Sequence, residues 1–246
     1  MSISSRYRVG YTNNPTLPIS VFEPRRRRSD IPLLYIHGLG AGAVSTYPLL
    51  EWLGAVDTGI VGVAANLSAD LAGWGRDSDG LAVDDVIAWA AANYGTRTDQ
   101  VGIIAGSMGG LTFANWAKTH LDQVAAAAMA IPAIDLAGVR QRDLDDLHLG
   151  LAASIEAAYG GLAGYEAALP THSPALDPAA VAPIADRIRI WATENDNVCA
   201  IEEAEDYTAA NGIELTTVAD LGHTGPTGGG YYQEIIDWLA PRIWWG

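Results

Sequence analysis

The sequence predicts an α/β protein whose mostly parallel sheet is covered by helices on both faces. Three observations carry this. Short, near-continuous apolar runs recur along the chain, and helical patterns separate most of them. The third is size: 246 residues with 49% hydrophobic content suit one large domain, burying roughly 70–75% of the surface its unfolded chain would expose. Strands buried on both faces lose the apolar/polar alternation of a half-exposed sheet, so runs rather than alternation mark them. Intrinsic disorder is excluded by the apolar content, and 27 Gly and 12 Pro fall without a period, which excludes a collagen-like chain.

Residues 7–11 and 17–22 read as two short strands around the turn signal Asn13-Asn14-Pro15. Arg25-Arg26-Arg27-Arg28 follows, read as a solvated loop with an anion-binding patch as the alternative. Residues 32–36 form a buried strand, and the turn His37-Gly38-Leu39-Gly40 leads to a helix near 47–53. Residues 59–65 are the next apolar strand. A polar loop through Trp74 and Asp79 then precedes a helix with Val83, Val86, Ile87, Ala90 and Tyr94 facing inward. A strand over 100–105, a helix over 108–121 and a strand over 124–131 continue the rhythm.

The rhythm breaks between 133 and 184, where Asp143, Asp145, Asp146, Gly160-Gly161 and the prolines 170, 174, 178 and 183 occur. The expectation is a cap insertion over 135–183 within one domain, because about 50 residues can hardly support a core of their own. The sheet resumes at 188–192, followed by a helix around 202–210, a strand over 213–218 and a last helix over 231–239.

Charge and cysteine content narrow the partners. Fourteen basic against 29 acidic residues leave a net charge of -15, a field that repels phosphate backbones and argues against nucleic acid. An uncharged, lipid-like ester or other small molecule is not excluded. Cys199 is the one cysteine, so no internal disulfide and no Cys-based zinc site is expected. The N-terminal MSISSRYRVGYTNNP lacks a signal-peptide core, and the longest apolar stretch, 124–134, is too short to span a bilayer. The expectation is a soluble, cytoplasmic chain, with signal-independent export or incorporation into a larger particle left open, as is the oligomeric state.

The chemistry concentrates around Ala105-Gly106-Ser107-Met108-Gly109. A strand enters a sharp turn and a helix begins at once, with a serine at the apex and small residues that let the backbone pass close to its neighbours. The bland alternative is a strand–helix turn with a capping serine. A serine is a weak nucleophile near neutral pH and needs a base within hydrogen-bond reach. His223, in Gly222-His223-Thr224 on the loop after the last strand, is the best placed of the five histidines. The base needs a carboxylate to hold its tautomer. Asp196, just past the strand at 188–192, fits in the chain order Ser107, Asp196, His223; Glu194 and Asp135 compete for the role. Developing negative charge would need two N–H donors: Met108, at the helix start, and Leu39, in the turn after the strand at 32–36. His37 is expected to support that turn, and Cys199 to be a small apolar residue.

These segments together resemble the α/β-hydrolase superfamily from about Tyr7 to the C-terminus. The resemblance rests on His37-Gly38-Leu39-Gly40, Gly106-Ser107-Met108-Gly109, Asp196 followed by Val198, Gly222-His223, and the segment DLAGWGRDSD over 70–79. Ala105 and Thr193 depart from the family's usual glycines. The resemblance implies a serine esterase or lipase-like hydrolase with no cofactor or metal, a catalytic Ser107–His223–Asp196 triad and an oxyanion hole at Leu39 and Met108. A peptidase or amidase is the alternative within the fold, and a non-catalytic binding module the alternative outside it.

Overall fold

The computed structural model describes residues 6–11, 18–43, 58–219, 222–223 and 230–244. The turn expected at Asn13-Asn14-Pro15, the helix expected near 47–53 and Trp245 lie outside these residues. The strands are β1 (Arg6–Tyr11), β2 (Pro18–Glu23), β3 (Leu33–Ile36), β4 (Gly62–Ala65), β5 (Val101–Gly106), β6 (Val124–Ala130), β7 (Ile188–Thr193) and β8 (Glu214–Val218). They form one sheet in the order β1-β2-β4-β3-β5-β6-β7-β8. The β1–β2 and β2–β4 pairs are antiparallel, and every pair from β4 through β8 is parallel. The helices are α1 (Asp77–Tyr94), α2 (Gly109–Ala117), α3 (Leu136–Arg142), α4 (Leu151–Ala158), α5 (Leu162–His172), α6 (Ile201–Asn211) and α7 (Gly230–Trp244).

Strand side chains alternate between two hydrophobic layers, as a period of two requires. Leu34, Ile36 and Ile103 pack with Val83, Val86 and Ile87 of α1, Phe113 of α2 and Tyr207 of α6. Leu33, Tyr35 and Ile104 point the other way, onto Ile235, Leu239 and Ile243 of α7. Both faces are thus sealed, which is why β3, β5 and β6 carry uninterrupted apolar runs. A third cluster joins Trp74, Met108 and Leu111 to Leu136, Val139, Leu151, Ile155 and Tyr165 on α3, α4 and α5. Those helices therefore lie against the loops at the carboxyl ends of the strands. Val181 and Ile184, in the 3₁₀ segment Pro178–Arg187, belong instead to the layer that holds α1, α2 and α6.

Two elements differ from expectation for tertiary reasons. The last helix runs past Pro241 to Trp244 instead of stopping near 239. Ile243 occupies the space that a side chain at Gly102 would need, its carbonyl accepts from Ser29 Oγ at 2.9 Å, and Trp244 Nε1 donates to Thr58 O at 2.7 Å. These contacts outweigh the lost backbone donor of a proline. The arginine run is not merely solvated: Arg27 donates to the carbonyls of Tyr94 and Gly95 at 2.6 and 3.1 Å, capping the C-terminal end of α1. Arg28 lies over the Trp244 ring, 5.6 Å from its centroid. No helix of the described residues is long and apolar enough to cross a membrane.

Candidate active site

β3 has β4 on one side and β5 on the other, so the chain leaves in opposite directions after β3 and β5 and opens a crevice at their carboxyl ends. The turn after β3 and the turn after β5 face each other there. Ser107 stands at the second turn with φ +50°, a left-handed conformation costing a non-glycine residue roughly 1–2 kcal/mol. Its backbone is held from three directions: its N–H donates to Ala130 O at 3.0 Å, and its carbonyl accepts from Gly110 N at 2.8 Å and Ala133 N at 2.9 Å. The turn closes tightly because Gly109 carries no side chain; a Cβ there would lie 2.5 Å from Ile36 O. A Cβ on Gly38 would likewise stand 3.1 Å from the Ser107 Cβ, so the two turns meet through glycine. Ala105, in the place of the usual glycine, is fully buried inside β5 and does not disturb this approach.

β7 and β8 are parallel neighbours, which brings the loops that follow them together. Thr193 Oγ1 donates to Gly222 O at 3.4 Å, linking the end of β7 to the His223 turn. The Asp196 side chain is 1% exposed and that of His223 22%. His223 Nδ1 lies 3.0 and 2.9 Å from the two Asp196 oxygens, and its Nε2 lies 2.9 Å from Ser107 Oγ. With a carboxylate facing Nδ1, the proton sits on Nδ1, which leaves Nε2 free to accept from the serine hydroxyl. Asp196 Oδ1 also accepts from the Val198 and Cys199 N–H groups, each at 2.8 Å, so the backbone as well as the histidine fixes its orientation.

The competitors are engaged elsewhere. Asp135 caps α3, accepting from Ala137 N at 3.0 Å and Ser173 Oγ at 3.2 Å. Glu194 is exposed. His37 is buried between Leu67 N, which donates to its Nε2 at 3.4 Å, and Gly38 O, 2.8 Å from its Nδ1. Burial lowers its pKa, so it braces the turn as a neutral ring. Among the described residues, neither the Leu39 nor the Met108 N–H donates to a protein acceptor. Met108 directly follows the serine, and Leu39 lines the cavity onto which the serine opens.

Cys199 Sγ lies with the donor atoms of Asp196 and His223 in a cluster less than 4.8 Å across. Both His223 nitrogens are already bonded to Ser107 and Asp196. Burial, with Asp196 and Glu203 nearby, pushes the Cys199 thiol well above its ordinary pKa, so it stays protonated.

Ser107 and His223 open onto a cavity of about 290 Å³. Tyr35, Leu39, Trp74, Ile131, Leu149, Leu151, Val198 and Tyr232 line it, and no Asp, Glu, Lys or Arg is among its described lining residues. Trp74 is the contribution that pattern alone does not single out. It adopts φ +55°, donates from Nε1 to Ser154 Oγ at 2.9 Å and accepts at its carbonyl from Tyr159 at 2.8 Å, binding the loop after β4 to α4 and the residue that follows it.

Asp79 holds that loop from beneath, its Oδ2 accepting from Gly75 N and Arg76 N, each at 3.1 Å. Burial pushes its carboxyl up to about 6, against the pull of Arg76 and the two N–H groups. A folded-state pKa above the unfolded one contributes stability that is full below about 4 and is lost as pH rises through about 6. The stability of the native protein relative to Asp79→Asn should therefore decline by on the order of 2–3 kcal/mol between pH 4 and 7. Urea unfolding of both proteins across that range checks this; a flat difference would place the carboxyl near its ordinary pKa.

No family model matches the chain, and no curated protein matches it in sequence. Solved structures do match in fold. The chain is similar to an esterase of Pyrococcus furiosus at 16% identity, covering 98% of this chain and 94% of that one, with a TM-score of 0.67. It is similar to an S-formylglutathione hydrolase of Agrobacterium tumefaciens at 14% identity, covering 99% and 97%, also with a TM-score of 0.67. A prolyl endopeptidase matches at 17% identity with a TM-score of 0.68; 99% of this chain covers 39% of that longer one.

Proposed function

On the α/β-hydrolase fold shared with those structures, we propose that the chain is a serine hydrolase that cleaves neutral carboxylic esters through an acyl-enzyme. The observation that carries this is the continuous hydrogen-bond sequence from Ser107 Oγ through His223 to Asp196 at the mouth of a cavity whose described lining residues carry no charge. Ser107 Oγ attacks the ester carbonyl carbon while His223 Nε2 takes its proton. Asp196 keeps the imidazole in the accepting tautomer and stabilises the imidazolium. The N–H groups of Leu39 and Met108 hold the tetrahedral oxyanion, the latter at the N-terminus of α2 where the helix dipole favours negative charge. His223 returns the proton to the leaving alkoxide, then deprotonates a water that attacks the acyl carbon and passes that proton to Ser107 Oγ as the acid departs. No cofactor or metal enters these steps. Within the insertion over 135–183, the part that carries α3, α4 and α5 serves as a cap and contributes Leu149 and Leu151 to the pocket.

The test is turnover of nitrophenyl esters of graded chain length beside peptide anilides, with fluorophosphonate labelling in parallel. Ester turnover with labelling at Ser107 is expected. Faster cleavage of the anilides would move the assignment to a peptidase, and an unlabelled, inactive chain would make it a binding module. Because no described residue lining the cavity is charged, a neutral ester should outrun a carboxylate-bearing one of equal length by on the order of 10-fold or more. A preference for the anionic ester would overturn the substrate assignment.

A further inference from the structure

Arg142, the last residue of α3, reaches out of the insertion to the loop that carries Asp196. Its Nε and Nη2 donate to Val198 O at 3.1 and 2.7 Å. Its Nη1 and Nη2 also grip the Glu203 carboxylate on α6, at 2.5 and 3.1 Å. Gly138, one turn back on α3, leaves the room: a Cβ there would overlap Glu203 Oε1 and stand 2.8 Å from Asp135 Oδ2. Arg142 lies 56 residues from Val198 and 61 from Glu203 in sequence, and the fold brings it directly behind the Asp196 loop.

The carbonyl that Arg142 holds belongs to the same peptide unit as the Cys199 N–H, since the Val198 carbonyl carbon is bonded to the Cys199 nitrogen. That N–H donates to Asp196 Oδ1 at 2.8 Å. The sequence is therefore guanidinium, carbonyl, amide N–H, carboxylate, imidazole. A cation on the carbonyl polarises the amide and strengthens its N–H as a donor, and hydrogen bonds in such a series reinforce one another. The planar fork also fixes where the peptide unit lies, which a single donor would not.

We propose that Arg142 is a positioning residue for Asp196, acting through the 198–199 peptide unit to hold the carboxylate against His223. This rests on the catalytic roles given above to Ser107, His223 and Asp196. It also gives the insertion a second task besides lining the pocket: α3 sets the geometry of the acid loop. Glu203 supports the arginine in turn. Burial pushes the Glu203 carboxyl above the usual carboxylate range, and Arg142 opposes that shift.

The experiment compares Arg142→Met and Arg142→Lys with the native protein, reading ester kinetics, thermal unfolding and the proton resonance of His223 Nδ1. An imidazole N–H held by a carboxylate resonates far downfield, and Asp196→Asn identifies the signal by abolishing it. Arg142→Met is expected to lower kcat on the order of 10–10²-fold with KM within about two-fold, because a small misplacement of a catalytic group is costly while the substrate still binds. The Nδ1 resonance should move upfield. Arg142→Lys should recover part of kcat and part of the shift, since it keeps the charge but not the fork. If Arg142→Met does not fold, Arg142→Lys alone decides, with kcat reduced and KM held as the supporting result. An unmoved resonance overturns the proposal, whether kcat is retained or falls only in step with the unfolding temperature. If the native protein turns over no ester, the hydrolase assignment fails, and the resonance still decides whether Arg142 holds Asp196.

Discussion

Ser107→Ala is expected to lower turnover of a neutral nitrophenyl ester by a factor on the order of 10⁴ or more, because the oxyanion donors alone cannot replace a covalent route. Folding should be nearly unchanged. Alanine keeps the Cβ, so it inherits the strain at φ +50°, and the backbone bonds to Ala130, Gly110 and Ala133 do not involve the hydroxyl. The lost contacts are the one from Oγ to His223 Nε2 and the one with the Cys199 thiol. The check is kcat/KM on purified protein beside a urea unfolding curve and fluorophosphonate labelling. Retained turnover in a cleanly folded variant would remove Ser107 from the mechanism.

Asp196→Asn should cost roughly 10³–10⁴-fold in turnover, and the hydrogen bonds say why. The Val198 and Cys199 N–H groups both point at Oδ1, so an asparagine must place its carbonyl oxygen there. Its NH₂ then faces His223 Nδ1, which becomes the acceptor. The ring proton moves to Nε2, directed at Ser107, and the base can no longer accept the serine proton. Asp135→Asn should leave turnover nearly intact, because Asp135 caps α3 and asparagine caps about as well. Steady-state kinetics of the two variants side by side decide the matter. The opposite ranking would move the acid to the end of β6.

The strand–turn–helix at Ala105 to Gly109 was legible in the residues because its geometry is local: a strand, small residues and a helix start must be adjacent in the chain for the serine to stand at the apex. The same holds for the buried strands, whose apolar runs follow from helices covering both faces. In the sequence, its place just past the strand at 188–192 favours Asp196 over Asp135 and Glu194, and chain order alone does not separate them. What separates the three is their surroundings: the β7–β8 pairing puts the Asp196 loop beside His223, while Glu194 is exposed and Asp135 caps α3.

By itself, then, the sequence determined the parallel sheet, the serine turn and the order of the three polar residues, all consequences of short-range pattern and of which elements follow which. The tertiary structure alone decided how far α7 runs past Pro241, that Arg27 caps α1, that Trp74 joins the loop after β4 to α4, and that Arg142 reaches the Asp196 loop. Each of those contacts joins residues distant in the chain and involves a side chain whose type does not name its partner. An arginine can satisfy any carbonyl within reach, and only packing determines which one that is.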